Sequence, residues 1–296
     1  MLLVRWCSRL RRMTAAHVPV EISEWKPAPF DLGTETVFAV GDVHGCAREL
    51  KALLGAIGKA ATAKGGDNHR LIFLGDLIDR GPDNLGVLRQ WSEAEAIPGI
   101  GHVDRLMGNH EQLLLLLVTA SPYAEKAEAK WRSESMGGEK VLEEMRQRVG
   151  DPEAAPSATL LAASLGEDAT KKFYAMRSHV RLGNTVFLHA GLQPGADLDE
   201  YLARPWMSET EATWAWIQQG FLDWKGGFGG ILVVHGHTPP PKHRTLTGQS
   251  DPHLFQHDRL GLDGGSARSG FVTGAEVETG RYRIFRAGTL LPNAEI

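Results

Sequence analysis

The sequence predicts an α/β fold. Short apolar runs alternate with stretches of helical spacing, and five of those runs end in a small cluster of Gly, Asp, Asn or His. The runs are 36–40, 71–74, 103–107, 185–188 and 231–234. They are short and rich in β-branched, aromatic and leucine residues, which marks strands buried inside a sheet. The clusters are GDVHG (41–45), GDLIDRG (75–81), GNHE (108–111), HAG (189–191) and HGHT (235–238). α/β proteins place their ligand sites just past the ends of strands. Asp104 and Arg105, in the third run, read as solvated strand-end charges.

Along the chain, the first stretch carries Arg5, Arg9, Arg11 and Arg12. These arginines break every apolar stretch, so the reading is a basic leader before Met13 and no signal-peptide core. Residues 1–33 are expected as a flexible N-terminal extension, and 34–290 as a single domain. Cys46 to Lys64 brings Leu50, Leu53, Leu54 and Ile57 to one face, which predicts a helix on the sheet. Asp83 to Trp91 reads the same way, through Leu85 and Leu88. Residues 112–180 read as a helical insert beside the site, with a surface loop at 150–157. Phe271–Val277 and Arg281–Phe285 read as a hairpin turned at Thr279-Gly280.

Composition bounds the function. Of 296 residues, 42% are hydrophobic and 23% charged, which excludes a disordered chain and allows a full core. A net charge of -4 argues against a nucleic-acid coat. Two cysteines, Cys7 and Cys46, cannot make a disulfide framework, so a cytoplasmic setting is expected. The run Leu113 to Val118 is far shorter than the ~20 residues of a spanning helix, and no stable membrane association is expected.

The clusters together supply Asp42, His44, Asp76, Asp79, Arg80, Asn109, His110, His189, His235 and His237. Carboxylate, imidazole and amide oxygen without thiolate suit Mn²⁺, Fe²⁺, Co²⁺ or Zn²⁺. Six such ligands are enough for two ions sharing a carboxylate, the arrangement of phosphate-ester hydrolases. Asp42 and His44 are two apart, so in an extended segment they face the same way. Asp76 and Asp79 are three apart, across a turn read as starting a helix, and can do different jobs. Arg80 offers a planar fork for phosphate. Asn109 and His110 are adjacent and point apart; if Asn109 is a ligand, His110 is free for proton transfer. His235 and His237 face one side of an extended segment, and either reaches the metal.

GDVHG, GDLIDRG and GNHE in this order, followed by HAG and HGHTP, resemble the PPP-type metallophosphatases of the calcineurin-like superfamily over about residues 36–270. The resemblance implies a four-layer αββα sandwich of two mixed sheets, with a dinuclear metal site at the C-terminal ends of the strands. It implies that Asp42 and His44 hold one ion, Asp76 bridges, and Asn109, His189 and His237 hold the second. His237 is chosen because it precedes Thr238, which leaves His235 as support behind it. The resemblance further implies that His110 is the general acid, Asp79 orients it and Arg80 grips phosphate. In-line attack by metal-bound hydroxide, without a phosphoenzyme, follows from the same likeness. Mn²⁺ is the expected ion, with Fe, Zn, Co or Ni as alternatives.

The implied activity is a phosphoesterase acting on phosphoserine or phosphothreonine in proteins. The alternative is hydrolysis of dinucleoside polyphosphates, and a lesser one is a non-catalytic metal-binding regulator. Symmetrical tetraphosphatases resemble GDLxARGP and GNHD, whereas this chain has Asp79 and Glu111. Trp131 with Gly137-Gly138 resembles a Trp…Asn-Gly-Gly segment of bacterial relatives, with Met136 in place of Asn. A second phosphate-gripping arginine is expected in a Trp-Ile-Arg-x-x-Phe segment. This chain has Gln218 there, so either Arg204, Arg244 or Arg268 substitutes in space or phosphate affinity is reduced.

Overall fold

The computed structural model describes residues 17–207, 213–292 and 294. The leader at residues 1–16, with Cys7, lies outside them. The strands are β1 (Val20–Ile22), β2 (Lys26–Pro27), β3 (Val37–Val40), β4 (His69–Phe73), β5 (Ile100–Arg105), β6 (His179–Leu182), β7 (Thr185–Leu188), β8 (Leu232–His235), β9 (Arg259–Gly261), β10 (Phe271–Glu278) and β11 (Arg281–Gly288). The helices are α1 (Ala47–Lys64), α2 (Asn84–Ser92), α3 (Asn109–Val118), α4 (Ala124–Trp131), α5 (Glu139–Val149), α6 (Ala158–Leu165), α7 (Glu167–Tyr174), α8 (Leu198–Leu202), α9 (Gln219–Leu222), α10 (Pro240–Thr247) and α11 (Ser266–Ser269).

Two mixed sheets form. The first runs β1-β11-β10-β3-β4-β5, with β2 also on β11, and the second runs β6-β7-β8-β9. Strands β3, β4 and β5 are parallel, as are β7, β8 and β9. The alternation along each strand divides the core. Val37, Ala39, Ile72 and Leu74 meet Phe187, Val234 and Leu260 between the sheets. Phe38, Val40, Leu71 and Phe73 face the other way, onto Leu50, Leu53 and Ile57 of α1. Val186, Leu188 and Val233 turn outward with Trp214 and Phe221. Both faces of each central strand are therefore dry, which is why the runs carry almost no polar residue. The result is the four-layer αββα sandwich. No helix among the described residues is long and apolar enough to cross a membrane.

Residues 17–33 depart from the expected flexible extension. Val20 pairs with Ala287 and Ile22 with Phe285, while Lys26 pairs with Tyr282. Phe30 and Leu32 are buried in the core between the sheets. The segment is held by backbone pairing on β11 and two apolar anchors, not by an apolar run of its own. Asp104 also departs from expectation. It is buried and accepts hydrogen bonds from Arg70 and from Arg177 at 3.0 Å.

The loops after β4 and β5 are joined tightly. Gly75 has φ of +102°, and a Cβ there would lie 2.3 Å from the Gly108 nitrogen. Glu111, fully buried in the first turn of α3, ties the same loops together. Its Oε2 accepts from the N–H groups of Asp76 at 2.8 Å and Gly108 at 3.0 Å. Its Oε1 accepts from Leu77 at 2.7 Å and Ile78 at 3.3 Å. Glu at the third helical position is the capping-box place. Segment 75–83 is a loop rather than a helix start, because α2 begins only after Asp83, whose carboxylate caps it through Gly86 N–H at 2.9 Å.

Two substitutions test this junction by urea unfolding. Gly75→Ala forces a methyl into backbone at a strained φ and should cost at least about 3 kcal/mol. Glu111→Gln puts an amide NH₂ against two N–H donors and should cost roughly 2–4 kcal/mol.

Candidate metal centre

The centre lies where the loops after β3, β4, β5, β7 and β8 converge. Asp76 is its middle. Asp76 Oδ2 stands 3.7 Å from His44 Nε2, and Asp76 Oδ1 stands 3.3 Å from His189 Nε2. The two oxygens of one carboxylate thus address two sets of donors. The first set adds Asp42, whose Oδ2 is 4.0 Å from His44 Nε2. The second adds Asn109 Oδ1, 3.0 Å from His189 Nε2, and the His237 ring, 5.0 Å centroid to centroid from His189.

The imidazoles are fixed from behind. His44 Nδ1 donates to Ile78 O at 2.8 Å, and His189 Nδ1 donates to Leu74 O at 2.9 Å. His237 Nε2 donates to Trp216 O at 3.1 Å, leaving Nδ1 as its lone-pair nitrogen. Such backing sets the tautomer of a metal-ligating histidine. Asp42 accepts the His237 N–H on both oxygens, at 2.9 and 3.1 Å. Gly236 permits that approach: a Cβ there would sit 2.1 Å from Asp42 Oδ1.

The donor set fits divalent cations. Nδ1 of His189 is used on a carbonyl, which leaves Nε2 facing two oxygens, on Asp76 and Asn109. A proton on Nε2 satisfies those oxygens, and a bound cation would take that proton's place. His44, Asp76 and His110 place ligand atoms within 4.8 Å of one another, and so do Asp76, His189 and His237. Oxygen and imidazole ligands without sulfur match manganese, iron, cobalt or zinc. Burial, with Asp263 and Asp76 alongside, raises the Asp42 carboxyl well above its ordinary range. Burial and Asp76 push Glu111 up to about 7. Burial opposes charge on His189, but Asp76 outweighs it and holds the ring above its usual value. His44 falls to about 3 through burial and the Arg80 charge.

His110 differs from the other histidines in its partner. Its Nδ1 lies 2.6 Å from Asp79 Oδ2, and Trp131 Nε1 donates to the same oxygen at 2.9 Å. Its Nε2 is buried, 3.8 Å from Asp76 Oδ2, and has no hydrogen-bond partner among the described residues. Burial raises the Asp79 carboxyl and, foremost among its surroundings, lowers His110. Arg80 Nη1 donates to His44 Nε2 at 2.6 Å, so that lone pair is shared with the guanidinium. Arg80 is also held by Ser135 O at 3.2 Å, and its own N–H reaches Gly137 O at 3.3 Å. The Trp131 and Gly137-Gly138 segment therefore supports Asp79 and Arg80 directly.

Backbone strain collects here. Eight non-glycine residues among those described have positive φ, and five are His44, Asp76, Asp79, Arg80 and His237. Such residues cost on the order of 1–3 kcal/mol each and persist only where the surroundings impose them. This strain corrects two expectations. Asp42 and His44 converge through a turn, not through a strand pleat. The positive φ at His237 ends the pleat that would place His235 and His237 on one face. The His235 ring packs edge-on to Phe221 at 5.0 Å, and its Nδ1 lies 2.9 Å from Gly236 O.

The cleft over the centre holds about 380 Å³. It is lined by Gln218 and Arg268, both considered for the second phosphate grip, and also by Trp216, Lys242 and Asp263. Asp263, buried beside Asp42, was missed by motif reading. Its signal was Asp-Gly-Gly after Leu260-Gly261-Leu262, the same strand-then-cluster pattern with a weaker strand.

Comparison with known proteins follows the same lines. The chain is 43% identical over 53 residues to the asymmetrical bis(5'-nucleosyl)-tetraphosphatase PrpE of Oceanobacillus iheyensis, covering 17% of this chain and 21% of that protein. It is 41% identical over 80 residues to a symmetrical bis(5'-nucleosyl)-tetraphosphatase of Coxiella burnetii, covering 27% of this chain and 24% of that one. The matched stretches thus span no more than about a quarter of these relatives. A candidate diadenosine tetraphosphatase of known structure aligns at TM-score 0.49 and 23% identity, covering 88% of this chain and 96% of that chain. Residues 35–264 match the calcineurin-like phosphoesterase family, and the chain belongs to that family.

Proposed function

We propose that this metallophosphoesterase hydrolyses dinucleoside polyphosphates. Its likeness to two tetraphosphatases, at 43% and 41% identity, carries the reading. A cleft of about 380 Å³ also has the size of a small-molecule site. Asp42, His44 and Asp76 would hold one divalent cation, and Asp76, Asn109, His189 and His237 a second, with manganese as the first choice. When bound, the cations supply Lewis-acid charge to the phosphoryl group and lower the pKa of water.

The chain's own groups do the rest. Arg80 turns its fork from His44 to the phosphoryl oxygens, a bidentate match. His110 holds a proton at Nε2 and gives it to the leaving oxygen. Asp79 orients the ring through Nδ1.

The Asp79–His110 pair also favours a second substrate, phosphoserine or phosphothreonine in a protein. An anhydride expels a phosphate, which leaves readily as an anion. A serine ester expels an alkoxide, which needs a proton. The 2.6 Å contact between His110 and Asp79 suits that demand.

With Mn²⁺, purified protein should turn over diadenosine tetraphosphate faster than a phosphoserine peptide; the opposite ratio moves the assignment to the second substrate. His110→Asn should cut turnover of a phosphoserine peptide by about 10²–10⁴-fold. It should affect p-nitrophenyl phosphate far less, and elemental analysis should find the metal content unchanged. Lost metal would instead make His110 a ligand. Chelation should lower Tm, and added Mn²⁺ should restore it, because the cations bind only the folded chain. A Tm indifferent to verified metal removal would sink the dinuclear assignment.

A further inference from the structure

The cleft contains an unassigned anion-binding wall. Two segments form it: Thr238 to Lys242, entering α10, and Asp263 to Arg268, entering α11. They touch, since a Cβ on Gly265 would lie 3.4 Å from Pro240 Cδ and 3.6 Å from Pro239 Cβ. Lys242 and Arg268 project from them into the lining of the cleft. Both are exposed, and neither side chain has an ion pair or hydrogen bond among the described residues. The one carboxylate in this wall, Asp263, is buried and accepts the Gly265 N–H at 2.7 Å. Arg80 lines the same cleft beside the ligand cluster.

The other two arginines considered as substitutes at Gln218 lie outside the cleft. Arg204 bonds to Thr213 Oγ1 at 3.1 Å and lies 5.0 Å from the Tyr201 ring centroid. Neither Arg204 nor Arg244 lines the cleft. Gln218 does line it, but its amide lies 3.5 Å from His237 O. Two like charges without counter-ions on one wall repel each other, and an anion relieves that repulsion. Arg268 supplies a fork and Lys242 a point charge, a pair suited to adjacent phosphates.

We propose that Lys242 and Arg268 form a distal phosphate subsite, which binds the phosphates beyond the one held by Arg80. They do not replace the missing arginine at Gln218; they select substrates carrying a phosphate chain. This rests on the reading that the substrate carries more than one phosphate.

The test is competitive inhibition of p-nitrophenyl phosphate hydrolysis by phosphate, pyrophosphate and tripolyphosphate. Free Mn²⁺ and ionic strength are held constant. The variants are Lys242→Gln, Arg268→Gln and, as the control on α10, Arg244→Gln. Wild type should bind tripolyphosphate at least about tenfold more tightly than phosphate. Lys242→Gln and Arg268→Gln should each raise the tripolyphosphate Ki about tenfold, and the phosphate Ki less than threefold. Arg244→Gln should spare the ratio. Equal weakening of all three inhibitors, or an equal effect of Arg244→Gln, overturns the subsite in favour of a diffuse field. If diadenosine tetraphosphate is cleaved without these ratio changes, the substrate reading stands and the subsite fails. If it is not cleaved but the ratios change, the subsite stands and the dinucleotide reading fails.

Discussion

The centre depends on one buried carboxylate that does not line the cleft. Glu111 accepts four backbone N–H groups, from Asp76, Leu77, Ile78 and Gly108. Those groups belong to two loops that end neighbouring parallel strands. With Glu111 in place, the Asp76 backbone is held at φ of 52°, a conformation an aspartate does not choose freely. That conformation lets the two Asp76 oxygens face His44 and His189 separately. Asp76 Oδ1 also accepts the His110 N–H at 3.1 Å, so the start of α3 locks to the same carboxylate.

Strain and hydrogen bonding balance here. Five site residues hold positive φ, each at a real cost. The offset comes from contacts that the unfolded chain cannot make: backbone carbonyls behind His44 and His189, and the Asp42 carboxylate on His237 N–H. A centre built this way has its donor groups held by the fold itself.

Much of this was legible in the sequence, for a physical reason. Strands buried on both faces must be apolar throughout, so β3, β4, β7 and β8 stood out as runs, each followed by its polar cluster. β1, β2 and β9 did not. They are two or three residues long, and β1 and β2 are paired through backbone at a sheet edge, where side chains carry little signal. The ligand types were readable, but their directions were not. The even spacing of His235 and His237 suggested a shared face, and the positive φ of His237 removed it. The part played by Glu111 was present as helix-start spacing but was masked by its place inside a metal-binding motif. Asp263 was hidden because the strand before it has a single apolar residue, Leu260.

The hydrogen bond from Trp131 to Asp79 has a consequence for the chain's history. It joins the helical insert to the partner of the proposed proton donor, across 52 positions of sequence. The insert is therefore not a detachable ornament. A lineage that shortened or exchanged it would strip Asp79 of its indole partner and free a buried carboxylate to turn away from His110. Insert and acid are thus one mechanical unit, joined by the indole N–H on Asp79 Oδ2.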